Sequence, residues 1–367
     1  MRIYLTHGRK ASTTNTEYLD DLLYPQTVHW FPDTYAKVKT GMFYVPHLMA
    51  NKVLDPELMT YIRENPVGKT AFILSVGTTN IAGSNNKSSK ETRLSYTYKF
   101  LPFTLTQVYA GKTAQMFGAN DMVITDSSAC ASSLKVMMDV QNLIKHYGFD
   151  RVVVLAIEDQ VSNLSLDFFG ESKAILTEEG IKPSAFDSKN YGFHVGQGAA
   201  LAIFDSHEVV SKTGDNPIAE LKGAYTASEP IDNIIGQRED GEGFKRAIEG
   251  AAFYSNVSLN DIKVVKTHGT GTKSNNIAEK AALLSTLKEF VATSYKPRIG
   301  HTTGVSGLLE SLMLFDDMKN GYIPEILNRT ENDKIFLSEP AIDPKGYIIS
   351  LAAGMGSIYS AAIFKRM

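Results

Sequence analysis

Short, uninterrupted apolar runs alternate with longer amphipathic stretches along the chain, and they do so twice. Residues 71–76, 122–125 and 151–157 are β-branched and bounded by Gly or Asp, which predicts buried strands. Between the last two, 131–147 carries Leu134, Met137, Met138, Leu143 and Ile144 near helical spacing. Strand, helix and strand in that order make a β-α-β unit with a right-handed crossover between parallel strands. The second half repeats the theme. Residues 218–224 read as strand, 242–254 as helix, 262–267 as strand and 277–290 as helix. A Gly-rich turn at 300–307, a helix running through Met318 and a strand pair at 346–353 and 358–364 follow. The class is therefore α/β with a largely parallel sheet system. The pattern restarts near position 210, which predicts two similar lobes, 1–210 and 211–367, although no sequence identity between them is visible.

A length of 367 residues suits such a two-lobed fold, on a scale of roughly 150 residues per domain. With 43% hydrophobic and 21% charged residues the chain is neither disordered nor fibrous. A net charge of −3 supplies no bulk field toward nucleic acid or an anionic membrane. No segment reaches the roughly 18 apolar residues that span a bilayer, and 1–8 lacks a secretory signal pattern, so a cytoplasmic protein is expected. The loosest stretch, 83–90, reads as a solvated polar loop.

One cysteine excludes an internal disulfide and any multi-cysteine metal site, and no metal is expected. Cys130 lies in Thr125-Asp126-Ser127-Ser128-Ala129-Cys130-Ala131-Ser132-Ser133, after a strand and at the opening of a helix. Unpaired amides and the positive end of the helix dipole would favour its thiolate there. Its small neighbours let a substrate come close, and its own amide could polarise a thioester carbonyl. A lone cysteine is commonly just a small buried hydrophobe; the strand–turn–helix setting puts the nucleophile reading beside that one.

Two of the eight histidines share a special context. His268 stands in Thr267-His268-Gly269-Thr270-Gly271-Thr272 just past a strand, and His301 in Ile299-Gly300-His301-Thr302-Thr303-Gly304 at the entrance to a helix. Glycines let backbone crowd a ligand, and threonine hydroxyls supply donors. The Gly269–Gly271 loop matches neither the dinucleotide fingerprint nor the P-loop spacing. His7, His29, His47, His146, His194 and His207 have no comparable setting and are taken as structural or surface.

These segments, in this order, resemble the β-ketoacyl synthases of the thiolase superfamily. The run around Cys130 is similar to their nucleophile elbow, and 267–272 to their first histidine motif. Lys296, five residues before His301, keeps the spacing of their Lys–His motif, and Gly354-Met355-Gly356 is similar to their glycine loop facing the cysteine. Phe186-Asp187 with 192–199 is a weaker fifth match, and 10–110 aligns only loosely.

The resemblance implies a thiolase-like five-layer αβαβα fold of two related halves, usually dimeric as a homodimer or with a second ketosynthase-like subunit. It implies that Cys130 accepts an acyl group from an acyl carrier protein. His268 and His301 would act on a malonyl-type thioester as it decarboxylates, and the Cys130 and Met355 amides would form an oxyanion hole. Thr270 and Thr272 would bind the phosphopantetheine arm of the carrier, with no cofactor held by the protein itself. Lys296 and Glu279 would hold the histidine loops.

Two histidines rather than a His–Asn pair point to the decarboxylating branch, and Ser127, where modular polyketide synthases usually have Asp, to a free-standing type II-like enzyme. Asn275-Asn276 stands where an acidic residue is common, and Met355 where a gating Phe is common, which suggests specialised polyketide or fatty acid synthesis. An acyltransferase that does not decarboxylate and a partner subunit of a heterodimer are the alternatives. Lys87, Lys90 and Arg93 are candidates for a basic rim facing an acidic carrier.

Overall fold

The computed structural model describes residues 1–12, 53–77, 106–158, 163–176, 181–189, 191–231, 235–332 and 334–367. The loop 83–90, with Lys87, Lys90 and Arg93, lies outside the described residues.

Among the described residues, five strands come from the first half: β1 (Ile3–Ser12), β2 (Thr70–Val76), β3 (Met122–Asp126), β4 (Arg151–Glu158) and β5 (Gly198–Ser206). The second half supplies β6 (Ala219–Ser228), β7 (Ile262–Lys266), β8 (Val291–Thr293), the short β9 (Tyr322–Ile323) and β10 (Ala341–Ile342), then β11 (Tyr347–Gly354) and β12 (Ile358–Arg366). The α-helices among the described residues are α1 (Pro56–Glu64), α2 (Thr106–Phe117), α3 (Ser132–His146), α4 (Asn163–Glu171), α5 (His207–Thr213), α6 (Glu242–Ser255), α7 (Lys273–Thr286), α8 (Lys296–Ile299) and α9 (Ser306–Lys319).

The long strands join in the order β3-β2-β4-β5-β1-β6-β12-β11-β7-β8. Read from either end toward the middle, this is the same arrangement twice: third, second, fourth, fifth and first strand of each half. Orientation repeats as well. β2 runs parallel to β3 and β4, as β7 does to β8 and β11. β5 is antiparallel to β4 and β1, as β12 is to β11 and β6. The halves meet at β1 and β6, where Ile3 faces Leu221 and Leu5 faces Ala219.

Side-chain alternation sorts this sheet system into five layers. Phe72, Leu74, Val153, Leu155, Leu201 and Ile203 face outward onto α1 and α2. Ala71, Ile73, Val152, Val154, Ala202 and Phe204 point the other way, onto α3 and α9. From the second half, Val264, Ile348, Ala352 and Phe364 cover the same two helices, while Val265, Ile349, Leu351 and Ile363 cover α6 and α7. α3 and α9 thus form a middle layer between the two halves of the sheet, and the fold is the thiolase-like αβαβα arrangement.

Three sequence expectations need correction. Residues 122–125, expected to be a buried strand, form the partly exposed β3 at one end of the sheet order. The sheet is mixed rather than largely parallel, because β5 and β12 run against both of their neighbours. β4 and β5 are buried on both faces, and a continuous apolar run reads the same whichever way its neighbour points. The helix expected at 277–290 is Lys273–Thr286, and the chain then re-enters the sheet as β8. Among the described residues no helix is long and apolar enough to cross a membrane.

β1, β4 and β5 are tied by a buried ion pair. Arg151 Nε donates to Asp205 Oδ1 (2.6 Å) and its Nη2 to Oδ2 (3.2 Å), while Thr6 Oγ1 donates to Oδ2 (2.7 Å). Arg151→Met strands a buried carboxylate and should cost about 3–5 kcal/mol, read as a lower urea midpoint; adding Asp205→Leu should restore most of it.

Candidate functional site

Four turns converge at the inner ends of these strands. The first follows β3. Ala129 takes a left-handed φ of 49°, and Ser132 Oγ accepts from Ser128 N (2.7 Å) while lying 2.6 Å from Ala129 O and 3.1 Å from Val76 O. One hydroxyl thereby closes the turn and presents Cys130 just ahead of α3. The Gly354–Ser357 turn between β11 and β12 packs on it: a Cβ on Gly354 would stand 2.7 Å from Ser128 O and 3.2 Å from Ala131 N.

The second turn follows β7. Glu279, fully buried on α7, accepts from His268 N (2.6 Å), Gly269 N (2.9 Å) and Asn275 Nδ2 (2.9 Å). Thr267 donates through both N (3.0 Å) and Oγ1 (2.8 Å) to Thr293 O on β8. Thr270 and Thr272 hydroxyls are 3.0 Å apart at the end of this loop.

The third turn leads from α8 to α9. His301 N donates to His194 O (2.7 Å), Gly196 N donates to His301 O (3.0 Å), and His301 Nδ1 lies 3.2 Å from Ser306 Oγ. The stretch Phe186-Asp187 to Gly198 fastens both histidine loops together. Phe186 N donates to Asn276 Oδ1 (3.0 Å), Gly192 N to Gly271 O (3.1 Å), and Asp187 Oδ2 accepts from Thr330 N (2.7 Å). His194, which sequence alone left among the structural histidines, acts here through its backbone.

The two histidine rings meet edge to face, centroids 5.6 Å apart at 82°, and Phe193 stands edge-on to His301 at 4.8 Å. Met355 packs against the small cluster of Phe193, Phe169 and Val195.

Behind the rings lies a charged core. Glu310 on α9 accepts from Lys296 Nζ through Oε1 (2.8 Å) and from Lys266 Nζ through Oε2 (3.2 Å), with all three side chains buried. Burial, followed by the Lys296 charge, holds both His268 and His301 well below the usual imidazole range, so both rings are neutral. Lys296 also acts on Cys130, which places all three side chains in the field of one ammonium group.

The thiol itself behaves contrary to the helix-dipole expectation. Burial pushes Cys130 up to about 12; Lys296 opposes this and the Glu158 carboxylate adds to it. Glu158 accepts from Gly77 N (2.9 Å) and Gly304 N (3.2 Å) close by.

Cys130, His268, His301, Lys296 and Met355 all come to this cluster. Lys296 pairs with Glu310, whereas Glu279 supports the His268 loop through backbone amides. Lys266, Glu310, Glu158 and Ser306 were missed from the sequence. Glu310 had a signal, a single charge inside Leu308-Leu309-Glu310-Ser311-Leu312; Lys266 at the end of a buried strand had a weaker one. Among the described residues no group of three or more His, Cys, Asp or Glu could hold a metal ion.

A duplicated five-layer α/β fold with a cysteine and two histidines at its inner turns is a thiolase-like architecture. More narrowly, the chain belongs to the β-ketoacyl synthase family: the N-terminal domain of that family matches residues 57–209 and its C-terminal domain residues 218–330. A 3-oxoacyl-[acyl-carrier-protein] synthase homolog of Saccharomyces cerevisiae is 31% identical over 286 residues, 73% of this chain and 64% of the yeast protein. The 3-oxoacyl-[acyl-carrier-protein] synthase 2 of Vibrio cholerae is 26% identical over 282 residues, 73% of this chain and 68% of that one. The aligned part thus spans about two thirds of the length of these relatives. In fold, the chain superposes with a TM-score of 0.83 and 18% identity on a chain from a complex of a type II polyketide synthase acyl-carrier protein with its ketosynthase, covering 100% of this chain and 99% of that one.

Two outcomes follow from the buried charges. Alkylation of Cys130 by iodoacetamide at pH 8 should run on the order of 10²–10³ slower than that of a free thiol, because each unit of raised pKa removes tenfold of thiolate; unfolding in urea should abolish the difference. Because both histidines are depressed, the unfolded chain gains protons below pH 6.5 that the folded chain refuses. Stability should therefore be full above that pH and fall as pH drops through it, by up to about 1.4 kcal/mol per unit for each ring. His301→Gln should flatten the slope of the unfolding free energy against pH.

Proposed function

We propose that this protein is a decarboxylating condensing enzyme, a β-ketoacyl synthase working on thioesters of an acyl carrier protein. The observation that carries the reading is the pair of neutral histidines, edge to face at 5.6 Å, sharing the field of Lys296 with Cys130. A neutral imidazole N–H can donate to an oxygen that becomes negative during reaction, while a buried imidazolium would be costly to form.

Cys130 attacks the carbonyl carbon of an acyl-carrier thioester, the carrier sulfur leaves, and the thiol proton goes to that sulfur. The Cys130 and Met355 amides receive the tetrahedral oxyanion. A malonyl-type thioester then enters with its carbonyl oxygen toward His268 and His301. Its carboxylate leaves as carbon dioxide, and the electron pair of the broken C–C bond becomes an enolate held by the two ring N–H groups. The enolate carbon attacks the acyl-Cys130 carbonyl and expels the sulfur, which takes one proton from solvent. A β-ketoacyl carrier thioester and free Cys130 remain.

In this reading residues 1–210 carry the nucleophile and 211–367 both histidines. Thr270 and Thr272 bind the phosphopantetheine arm brought by the carrier, and a second ketosynthase-like chain completes a homo- or heterodimer. A polyketide or specialised fatty acid pathway suits Met355 and the Asn275-Asn276 pair.

Intact-mass analysis after mixing with acyl-carrier and then malonyl-carrier thioesters tests this. The wild type should gain an acyl mass, release carbon dioxide and form a β-ketoacyl carrier, and Cys130→Ala should gain no acyl mass. His301→Ala should still be acylated but lose about 10²–10³ in carbon dioxide release, the scale of one lost oxyanion donor. Acylation followed by transfer to an alcohol or amine, without carbon dioxide, would replace the proposal with an acyltransferase.

A further inference from the structure

Lys266 is the last residue of β7, two positions before His268, and its side chain is wholly buried. Its Nζ donates to Glu310 Oε2 (3.2 Å) on α9 and to Leu351 O (2.8 Å) on β11. One ammonium group therefore joins three elements that bear on the site. β7 ends in the first histidine loop, α9 opens at Ser306 beside His301 Nδ1, and β11 runs into the Gly354–Met355 turn.

Neutralising Glu310 does not require a second lysine here. Lys296 already balances Glu310 at 2.8 Å, and desolvating a further cation next to a like charge costs several kcal/mol. The charges of Lys296 and Lys266 both act on the two neutral rings, where the reaction proposed above builds up an enolate.

We propose that Lys266 is a positioning residue for the decarboxylation half-reaction, fixing β7, α9 and β11 against one another and holding a positive charge that acts on His268 and His301. The inference rests on the condensing-enzyme reading. The groups that share its surroundings are Glu310 from α9, Lys296 from α8, Glu279 from α7, and the rings of His268 and His301. Burial brings Lys266 down to about 8, partly offset by Glu310, and its charge in turn depresses both histidines. Its ammonium is thus present near neutral pH and is lost as pH rises past 8.

The test compares wild type, Lys266→Met, Lys266→Gln and Lys266→Arg. Lys266→Met leaves the Lys296–Glu310 pair balanced and should fold; Lys266→Gln, which keeps a donor for Leu351 O, takes its place otherwise. Acylation of Cys130, which uses the Met355 amide just past the end of β11 but neither ring, should fall by less than carbon dioxide release does. Carbon dioxide release from malonyl-carrier should fall by about 10²-fold, the cost of roughly 1 Å of misplacement. The wild-type rate should decline above pH 8, and Lys266→Arg should move that limb to higher pH while recovering most of the rate. Independently of activity, NMR titration of the histidine ring protons should show both rings protonating at higher pH in Lys266→Met.

Unchanged carbon dioxide release, pH profile and ring titrations in Lys266→Met and Lys266→Gln would overturn the proposal. If the wild type is acylated but releases no carbon dioxide, the condensing reading fails. The ring titrations then decide the electrostatic role of Lys266 by themselves: a shift supports it, and no shift removes it.

Discussion

The site depends on two helices of the middle layer meeting end to end. α3 and α9 abut at their N-termini, where Leu308 N donates to Ser133 Oγ (3.1 Å) and Gly307 lies so close to Leu134 that a Cβ would stand 2.8 Å from it. Next to this contact Gly77 and Gly304 approach backbone to backbone, and Glu158 accepts an amide hydrogen from each. Because the strand order of the two halves is the same, α3 and α9 are equivalent: each follows the third strand of its half. The duplication thus sets the Cys130 turn and the His301 turn against each other, one from each half. A side chain larger than hydrogen at 77, 304 or 307 would wedge the two turns apart.

Electrostatics then separates the roles of side chains that share one dry cluster. Burial opposes charge everywhere in it, so the rings stay neutral and the thiol stays protonated. The lysine–glutamate pairs lie one step back, where Glu310 is shared by Lys266 and Lys296, and Glu279 is spent on the backbone amides of His268 and Gly269. Uncharged groups at the front with fixed charges behind are a pre-organised arrangement: the positive field exists before any negative charge forms, and no solvent must reorganise to supply it. The same arrangement explains why helix-dipole reasoning misjudges Cys130. A dipole contributes half a charge at a helix end, whereas desolvation of a thiolate next to Glu158 acts on a whole one.

Much of this was legible in the sequence, and the reasons for the rest are specific. Apolar runs and amphipathic periods mark β2, β4, α3 and α6 because each has one neighbour type on each face. The direction of β5 and β12 is not written in their composition, since both are buried on both sides. Cys130, His268 and His301 stand out because glycines and small hydroxyl residues surround them, which the chain needs where backbone meets backbone. Lys266 and Glu310 do not stand out, because a lysine ending a strand and a glutamate on a helix are ordinary until tertiary packing removes their water. Partner choice has the same origin: spacing alone joins Lys296 to the His301 loop, but it is α9 that brings Glu310 within 2.8 Å of it.

The departures at 275–276 and 355 make sense in the same terms. Asn276 accepts from Phe186 N through Oδ1, and its amide faces Gly271 O at 3.5 Å, the outer limit of a hydrogen bond. A carboxylate there could take the first contact but would repel the second, so an uncharged amide suits a position between a donor and an acceptor. Asn275 donates to Glu279, and this, with the two backbone amides, leaves that carboxylate satisfied without a second acid nearby. Met355 sits on the face of the Phe193 cluster, and Phe193 in turn stands edge-on to His301. An unbranched, adaptable side chain at that point changes shape without moving the backbone turn that Gly354 presses against Ser128. Side-chain shape can therefore vary at 355 while the histidine and cysteine turns stay where the middle-layer helices put them.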